Sequence, residues 1–542
     1  MKLFSLIAFC LLTSMIILQG CVKDKLDLNK LKDDWNPTFA VPLVNASLSV
    51  KDILANAEND LIVVDPTGLV TLVYEGELLS YDAKDLVNLP DQSFQDDLSL
   101  TSAEQATLIS NGSVSKTENT THLYNPITSI ELDSIRLKAG SLRLTIDNNF
   151  NQIGNLTIRI PGFVKNGTVF QVVVPLTAPF SNNIQTINLS GYSIKMATGP
   201  GNFNEIPIQY ILDLNYNSSQ PTTGNISISR DLIGWQFDRL FGFFGQPVVS
   251  IDEDSLELNL FKNAAMGYFA LTNPSIKLTI ENSFGFPIDI LIKKLESRNL
   301  QSGTVIPIAL SNFPNPFEIN APSVSQLGTY ATSILSIDKS NSNVDSLITS
   351  TPKVIIFGIE GKANPDGIPA ADNRNFMTDR SNFKVSTKID LPMEGFAYGL
   401  NLSDTMDFNF SENQEGLESV TFRINIKNGF PLDLRMQFVF LDQNMNRIDS
   451  LLTLNENLIS SGIVGPAGKV VQPTVKITDV NFDQARVLRL QKAKYVIIRG
   501  ETNTFGASAS SSPTPVSKIY DDYKLDVRLG AKANVRPGSL LN

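Results

Sequence analysis

Along most of the chain, apolar and polar residues alternate with a period of two. Leu142, Leu144 and Ile146 stand between polar neighbours, and so do Leu156, Ile158 and Ile160. The same phase runs through Tyr210, Leu212, Leu214 and Tyr216, through Leu256, Leu258 and Leu260, and through Phe383, Val385, Thr387, Ile389 and Leu391. Leu434, Met436, Phe438 and Phe440 continue it, followed by Tyr523, Leu525, Val527, Leu529 and Ala531. Successive side chains of a strand point to opposite faces, so this pattern predicts antiparallel sheets with one face buried and one wet. Asn, Gly, Pro, Asp and Ser punctuate the runs, as turns require.

Helical signals are few. Thr101-Ser102-Ala103-Glu104 has capping-box spacing and predicts a short helix to about Ser110. Residues 483–494, with Ala485, Val487, Leu488 and Leu490, predict a second. Residues 231–244 carry Trp235, Phe237, Phe241, Phe243 and Phe244 and fit either a buried helix or two core strands. In both cases the rings are expected in the core rather than on an exposed platform.

One segment recurs. Leu144-x-Ile146-x-Asn148-x-Phe150 matches Leu278-x-Ile280-x-Asn282-x-Phe284 and Ile424-x-Ile426-x-Asn428-x-Phe430. The last two continue alike, as Phe286-Pro287-Ile288-Asp289 and Phe430-Pro431-Leu432-Asp433. Each copy predicts a strand that ends in an Asn/Gly corner tolerant of positive φ, with the Phe plugging the core. Upstream stand Asp133-Ser134-Ile135, Asp254-Ser255-Leu256 and Asp404-Thr405-Met406, expected at strand starts. The copies lie about 134 and 146 residues apart, which suits tandem β-sandwich units, immunoglobulin-like or related, rather than a short-period solenoid. The expected fold is therefore mainly β, with few short helices. The expected units are residues 126–225, 226–410 and 411–542, preceded by an N-terminal region over 33–125. Residues 508–515 read as a Ser/Pro loop inside the last unit.

The first twenty residues break the pattern. Lys2 precedes an apolar run from Leu3 to Leu18, and Gln19-Gly20-Cys21 follow. A basic start, a short apolar stretch and small residues before a cut describe a secretory signal over 1–20. Leu18-Gln19-Gly20-Cys21 resembles a bacterial lipobox. That resemblance implies cleavage before Cys21, a diacylglyceryl group on its sulfur and an acylated amine. The alternative is an uncleaved membrane helix, for which the stretch is short. Residues 21–32 then form a charged tether. Its Lys23-Asp24 pair, just after the lipidated residue, looks like the surface-export signals of Bacteroidota lipoproteins. Anchoring in the outer membrane facing the exterior is expected on that basis, with the periplasmic face as the alternative.

Composition narrows the chemistry. The 542 residues are 42% hydrophobic and 18% charged, enough for several domains with real cores. Lys+Arg number 44 against 55 Asp+Glu, a net charge of −11, so a phosphate backbone is not an expected partner. The two cysteines are Cys10, in the signal, and Cys21, so the mature chain holds no free thiol and no disulfide. The single histidine, His122, sits in a polar stretch with no metal-ligand spacing and is expected at the surface or in a turn.

The lipobox resembles the start of a group of Bacteroidota lipoproteins in company with three further features. These are Trp35-Asn36-Pro37-Thr38-Phe39-Ala40-Val41-Pro42-Leu43, the Val-rich run before Tyr74-Glu75-Gly76, and the Asn-Ser-Phe-Gly-Phe-Pro segment at 282–287. The resemblance implies a membrane-attached surface protein and transfers no catalytic residue.

Ser-x-x-Lys occurs at Ser113, Ser350 and Ser381 without the companion motifs of penicillin-binding proteins. The Gly358–Gly361 region lacks P-loop spacing. Acids are plentiful but nominate no pair, so a carboxylate-dependent glycan hydrolase stays an alternative without assigned residues. Asp366, Asp372 and Asn373 offer hard oxygen ligands in one loop and are a calcium candidate, although an Asp-Gly turn explains the same pattern. Asp followed by Ser or Thr and an apolar residue looks like the Bacteroidota O-glycosylation triplet, with Ser134, Ser255, Ser346, Thr405 and Ser450 as acceptors. About two such triplets are expected from composition alone. The reading is a lipid-anchored binding or structural protein without a cofactor. Its expected partners are the membrane, through Cys21, and an outer-membrane β-barrel protein or a surface glycan.

Overall fold

The structure is a computed structural model and describes residues 38–54, 61–126, 130–177, 181–258, 264–299, 302–311, 313–349, 352–369, 374–408, 417–452, 457–508 and 513–535. It is mainly β, built from antiparallel sheets that pair into three sandwich units. The alternation seen in the sequence becomes burial. Leu142, Leu144 and Ile146 are at most 1% exposed, and Phe383, Val385, Thr387, Ile389 and Leu391 are all buried. Burying one such side chain fully contributes about 1.5–3 kcal/mol.

The first unit is a ten-stranded sheet folded on itself. Its frame is two long paired strands, Glu131–Asn148 and Asn225–Phe243. One half of this ribbon carries Gln92–Ser99 on one side and Ser181–Asn188 on the other. Ile153–Lys165, Thr168–Leu176, Glu205–Asn215 and Ser113–Leu123 make the rest of the sandwich. The aromatic stretch 231–244 is thus neither a helix nor two strands. It is the second half of one strand, which bends at a bulge around Gly234, where φ is +62°. Gly140 faces the bend, and Trp235 lies so close that a Cβ there would overlap its ring.

The second unit packs a sheet of Leu61–Val64, Val70–Asp82, Asn382–Pro392, Ser275–Asn282 and Ala331–Ile337 against one of Val248–Glu257, Val354–Ala363, Ile288–Arg298, Val305–Pro307 and Phe317–Ile319. Between them, Leu78, Leu278, Ile292, Phe357 and Ile389 line a void of about 30 Å³, space for one water and for no ligand. The third unit pairs Thr38–Ser49, Lys524–Val535, Leu417–Asn428 and Thr474–Asp483 in one sheet. Its other sheet holds Ala264–Leu271, Glu394–Asp407, Tyr495–Thr502, Leu434–Leu441 and Arg447–Ser450.

Residues 33–125 do not form one region. Thr38–Ser49 lies in the third unit, paired with Lys524–Val535 from Thr38↔Asn534 to Ser49↔Lys524. Leu61–Val64 and Val70–Asp82 belong to the second unit, and Gln92–Ser99 and Ser113–Leu123 to the first. The chain therefore climbs through the units in the order third, second, first. On its return it moves between the second and third, with Ala264–Leu271 placed in the third before the second is complete and Asn375–Thr378 returning to the first.

Strands also cross the junctions. Asn375–Thr378 adds to the end of Asn225–Phe243, and Gly285 lies under the ring of Phe376, with no room for a Cβ. Arg374 reaches across to Glu131 and Asp133 at 2.8 and 2.9 Å. Residues 264–282 and 382–407 pair on both sides of a Thr272-to-Glu394 bond and carry one ribbon from the second unit into the third.

The repeated Asn residues do the same work in each unit. Asn148, Asn282 and Asn428 are at most 2% exposed, and each side-chain oxygen accepts the amide of the Phe two residues on, at 3.0, 2.9 and 2.9 Å. Asn282 Nδ2 donates to the carbonyls of Phe286 and Asn320, and Asn428 Nδ2 to those of Leu432 and Ser460. None of the three has positive φ. The corner is made by a buried amide closing an Asx turn, not by a left-handed backbone. The upstream Asp residues also sit differently from expectation. Asp133 is near a strand start, but Asp254 and Asp404 lie toward the ends of Val248–Glu257 and Glu394–Asp407.

Both expected helices form. Ser102–Asn111 starts from the Thr101–Glu104 capping box and ends at Gly112 in the left-handed conformation. Gln484–Leu490 starts from Asp483, whose carboxylate accepts the Arg486 amide.

Candidate functional site

Two paired strands of the first unit carry a charge where the apolar phase predicts a hydrocarbon. In Asn225–Phe243 the inward series is Ile226, Ile228, Arg230 and Leu232, and in Gln92–Ser99 it is Phe94, Asp96 and Leu98. Arg230 stands opposite Phe94 and Ile228 opposite Asp96, so the two charges are diagonal neighbours on one face. Tyr210, from Glu205–Asn215, and His122, from Ser113–Leu123, meet them across the core.

The four side chains form one network. Arg230 is 1% exposed, and its Nη2 donates to Asp96 Oδ2 at 2.5 Å. The Tyr210 hydroxyl donates to the same oxygen at 2.7 Å. His122 Nε2 lies 2.9 and 3.1 Å from the two Asp96 oxygens and 2.9 Å from Arg230 Nη2. The Arg230 guanidinium packs between the rings of Tyr210 and Phe94, and its Nε and Nη1 have no hydrogen-bond partner among the described residues. Burial pushes the Tyr210 phenol far above its ordinary range. It lowers the affinity of Arg230 for its proton, against the pull of Tyr210 and Asp96.

This arrangement is suited to closing the sandwich. Gln92–Ser99 and Ser113–Leu123 are outer strands of the two layers, and the His122–Asp96 contact joins them. His122 Nε2 either donates to Asp96 or accepts from Arg230, so the imidazole's tautomer decides which strand it ties to. The phenol of Tyr210, its proton held by Asp96 and by burial, is not a poised nucleophile. The sequence places His122 at the surface or in a turn. In the fold it sits within a strand, 19% exposed, with Phe94 packed on its ring. Its partners Asp96 and Arg230 lie 26 and 108 residues away, so local composition could not show them. The signal that could have was the pair of charges in the inward phase of two strands.

The other expected residues are dispersed. Cys21, Asp372 and Asn373 lie outside the described residues. Asp366 is exposed in a turn after Val354–Ala363, closed by the Gly367 amide on the Asn364 carbonyl at 2.9 Å. Asn364 is occupied by a reciprocal amide pair with Asn375. Among the described residues no group of three His, Cys, Asp or Glu side chains could hold a metal ion. Of the triplet hydroxyls, Ser255 and Thr405 are exposed, and Ser134, Ser346 and Ser450 are half-buried. The neighbouring acids have local duties. Asp254, Asp345 and Asp449 each accept the amide of the following Ser, and Asp133 is tied to Arg374.

No family model matches the chain, and no curated protein matches it. Among solved structures, it is similar to a protein of Parabacteroides distasonis described as a "putative secreted protein". The two share 12% identity over 53% of this chain and 82% of the other, with a TM-score of 0.28. A likeness at that level carries no argument about fold or activity.

Proposed function

We propose that this protein is a non-catalytic display module, attached to the outer membrane through lipid on Cys21 and presenting its first unit outward as the part that meets a partner. The observation that carries this reading is the pairing of Thr38–Ser49 with Lys524–Val535. The strand nearest Cys21 belongs to the third unit, and the chain reaches the first unit only through the second. The seventeen peptide steps from Cys21 to Thr38 span at most roughly 60 Å. An anchor at Cys21 therefore holds the third unit at the membrane and leaves the first unit farthest from it. Strands shared across both junctions support a stiff stalk rather than beads on a string. Among the described residues no helix is long and apolar enough to cross a membrane. Two or more acyl chains, at about 0.8 kcal/mol per buried CH₂, would make a stable anchor.

Metabolic labelling with an alkyne fatty acid tests the anchor. The native chain is expected to take the label and sediment with outer membranes, and Cys21→Ala to lose both. Label retained by Cys21→Ala would overturn the reading. Protease digestion of intact cells separates outward display, in which the first unit is cut, from attachment on the periplasmic face, in which it is protected.

A further inference from the structure

We infer that the anchor-side end of the third unit is a seat for an anionic lipid surface, formed by Leu488, Arg489, Lys492 and Lys494. The inference rests on the lipid-anchor reading of Cys21 and adds to it a second, electrostatic contact with the bilayer. Strand register defines this end. Thr38 is level with Asn534, Asn534 with Ser419, and Ser419 with Asp483. In the partner sheet, Asp407 and Leu441 are both level with Tyr495. The helix Gln484–Leu490 and the turn that follows it therefore lie at the same end as Thr38, where the chain from Cys21 arrives. The opposite end, at Ser49 and Lys524, leads to the second unit.

In a chain of net charge −11, residues 484–494 carry four cations and no acid. Val487 and Leu490 are buried against the sheet, which turns Leu488 outward at 51% exposed, beside exposed Arg489, Lys492 and Lys494. Several acids at this end are engaged locally. Asp483 caps the helix, and Asp449 lies beneath Arg486 and Arg489. Asp442 accepts the amides of Asn444 and Asn446, and the adjoining Asp407 is exposed. An outward leucine among cations, held within a short tether's reach of an anchor, fits the phosphate-rich face of a bilayer. Apolar insertion and attraction to anionic headgroups add there.

The test uses the full mature protein reconstituted into phosphatidylcholine vesicles with or without phosphatidylglycerol. The mature chain's only cysteine is the lipidated one, so Leu488→Cys takes an environment-sensitive maleimide dye cleanly, and Ile184→Cys in the first unit serves as control. The expected result is a blue shift and brightening at position 488 on phosphatidylglycerol vesicles. The signal should weaken with salt, be lost in Lys492→Glu/Lys494→Glu, and be absent at position 184. No response at 488 from protein that still floats with the vesicles would overturn the seat, leave the anchor standing and reassign the surface to a protein partner. Dye taken up by Cys21 in the otherwise native chain, together with failure to float, would instead remove the anchor reading and the seat with it.

Discussion

Arg230 and Asp96 occupy positions that a hydrocarbon could fill, so their value lies in being paired. Removing one partner from a buried ion pair leaves the other uncompensated, typically at a cost of about 3–5 kcal/mol. Arg230→Met is expected to destabilise the first unit on that scale. Adding Asp96→Leu should restore much of the loss, and a double-mutant cycle on the first unit's thermal transition checks this. Additive losses would mean that the two groups act separately. The repeated asparagines make a parallel case. Asn282→Ala leaves the Phe284 amide and the Phe286 carbonyl without their side-chain partner in the core, at about 1–3 kcal/mol for each group left unsatisfied, and also removes the bond to the carbonyl of exposed Asn320. Asn282→Asp should restore only the bond to the Phe284 amide, because a carboxylate has no N–H to donate to the two carbonyls. Urea midpoints of the two variants distinguish the contributions. The recurrence of these asparagines was legible in the sequence, but their role was not. A turn rule attaches Asn to positive φ, whereas here the buried amide itself supplies the missing backbone partners.

Among the elements, the strands were legible and their neighbours were not. The period-two runs locate Glu131–Asn148, Glu205–Asn215 and Asn382–Pro392 because one face of each is buried. Nothing local in Thr38–Ser49 announces a partner almost five hundred residues away, and that one pairing reorganises the whole N-terminal stretch. The continuous strand through 231–244 was obscured by its bulge at Gly234, where the alternation slips. The helix Gln484–Leu490 shows how a short element is held. Burial raises the affinity of the Asp449 carboxyl for a proton, but the hydrogen bonds from Arg486, the Ser450 amide and Arg489 outweigh it and hold its pKa below the ordinary 3.8. A carboxyl depressed by folding contributes stability that is complete above its unfolded value and is lost as pH falls through the folded one. Acidification below about pH 3.8 is therefore expected to loosen this helix. Asp449→Asn should give the same loosening near neutral pH. Amide-exchange protection factors over 484–490 provide the measurement. Unchanged protection in Asp449→Asn would show that the two arginines are not what docks the helix.

At the scale of the whole molecule, the chain is a hairpin of three sandwiches. Its outward limb contributes strands to the third, second and first units, and its return limb completes the second and third while crossing between them more than once. The second and third units are therefore closed by segments distant in sequence and are not contiguous blocks, whereas all strands of the first but Asn375–Thr378 lie within residues 92–243. The topology also gives the molecule a polarity, with the third unit at the end where the proposed anchor would join and the Arg230 network in the unit farthest from it. Energy transfer to an acceptor dye in the bilayer tests this polarity most directly, with donors placed singly by Leu488→Cys at the Thr38 end of the third unit and Ile184→Cys in the first, on lipidated protein in vesicles. The account predicts strong transfer from position 488 and little or none from 184. Equal transfer from the two positions, or stronger transfer from 184, would contradict it.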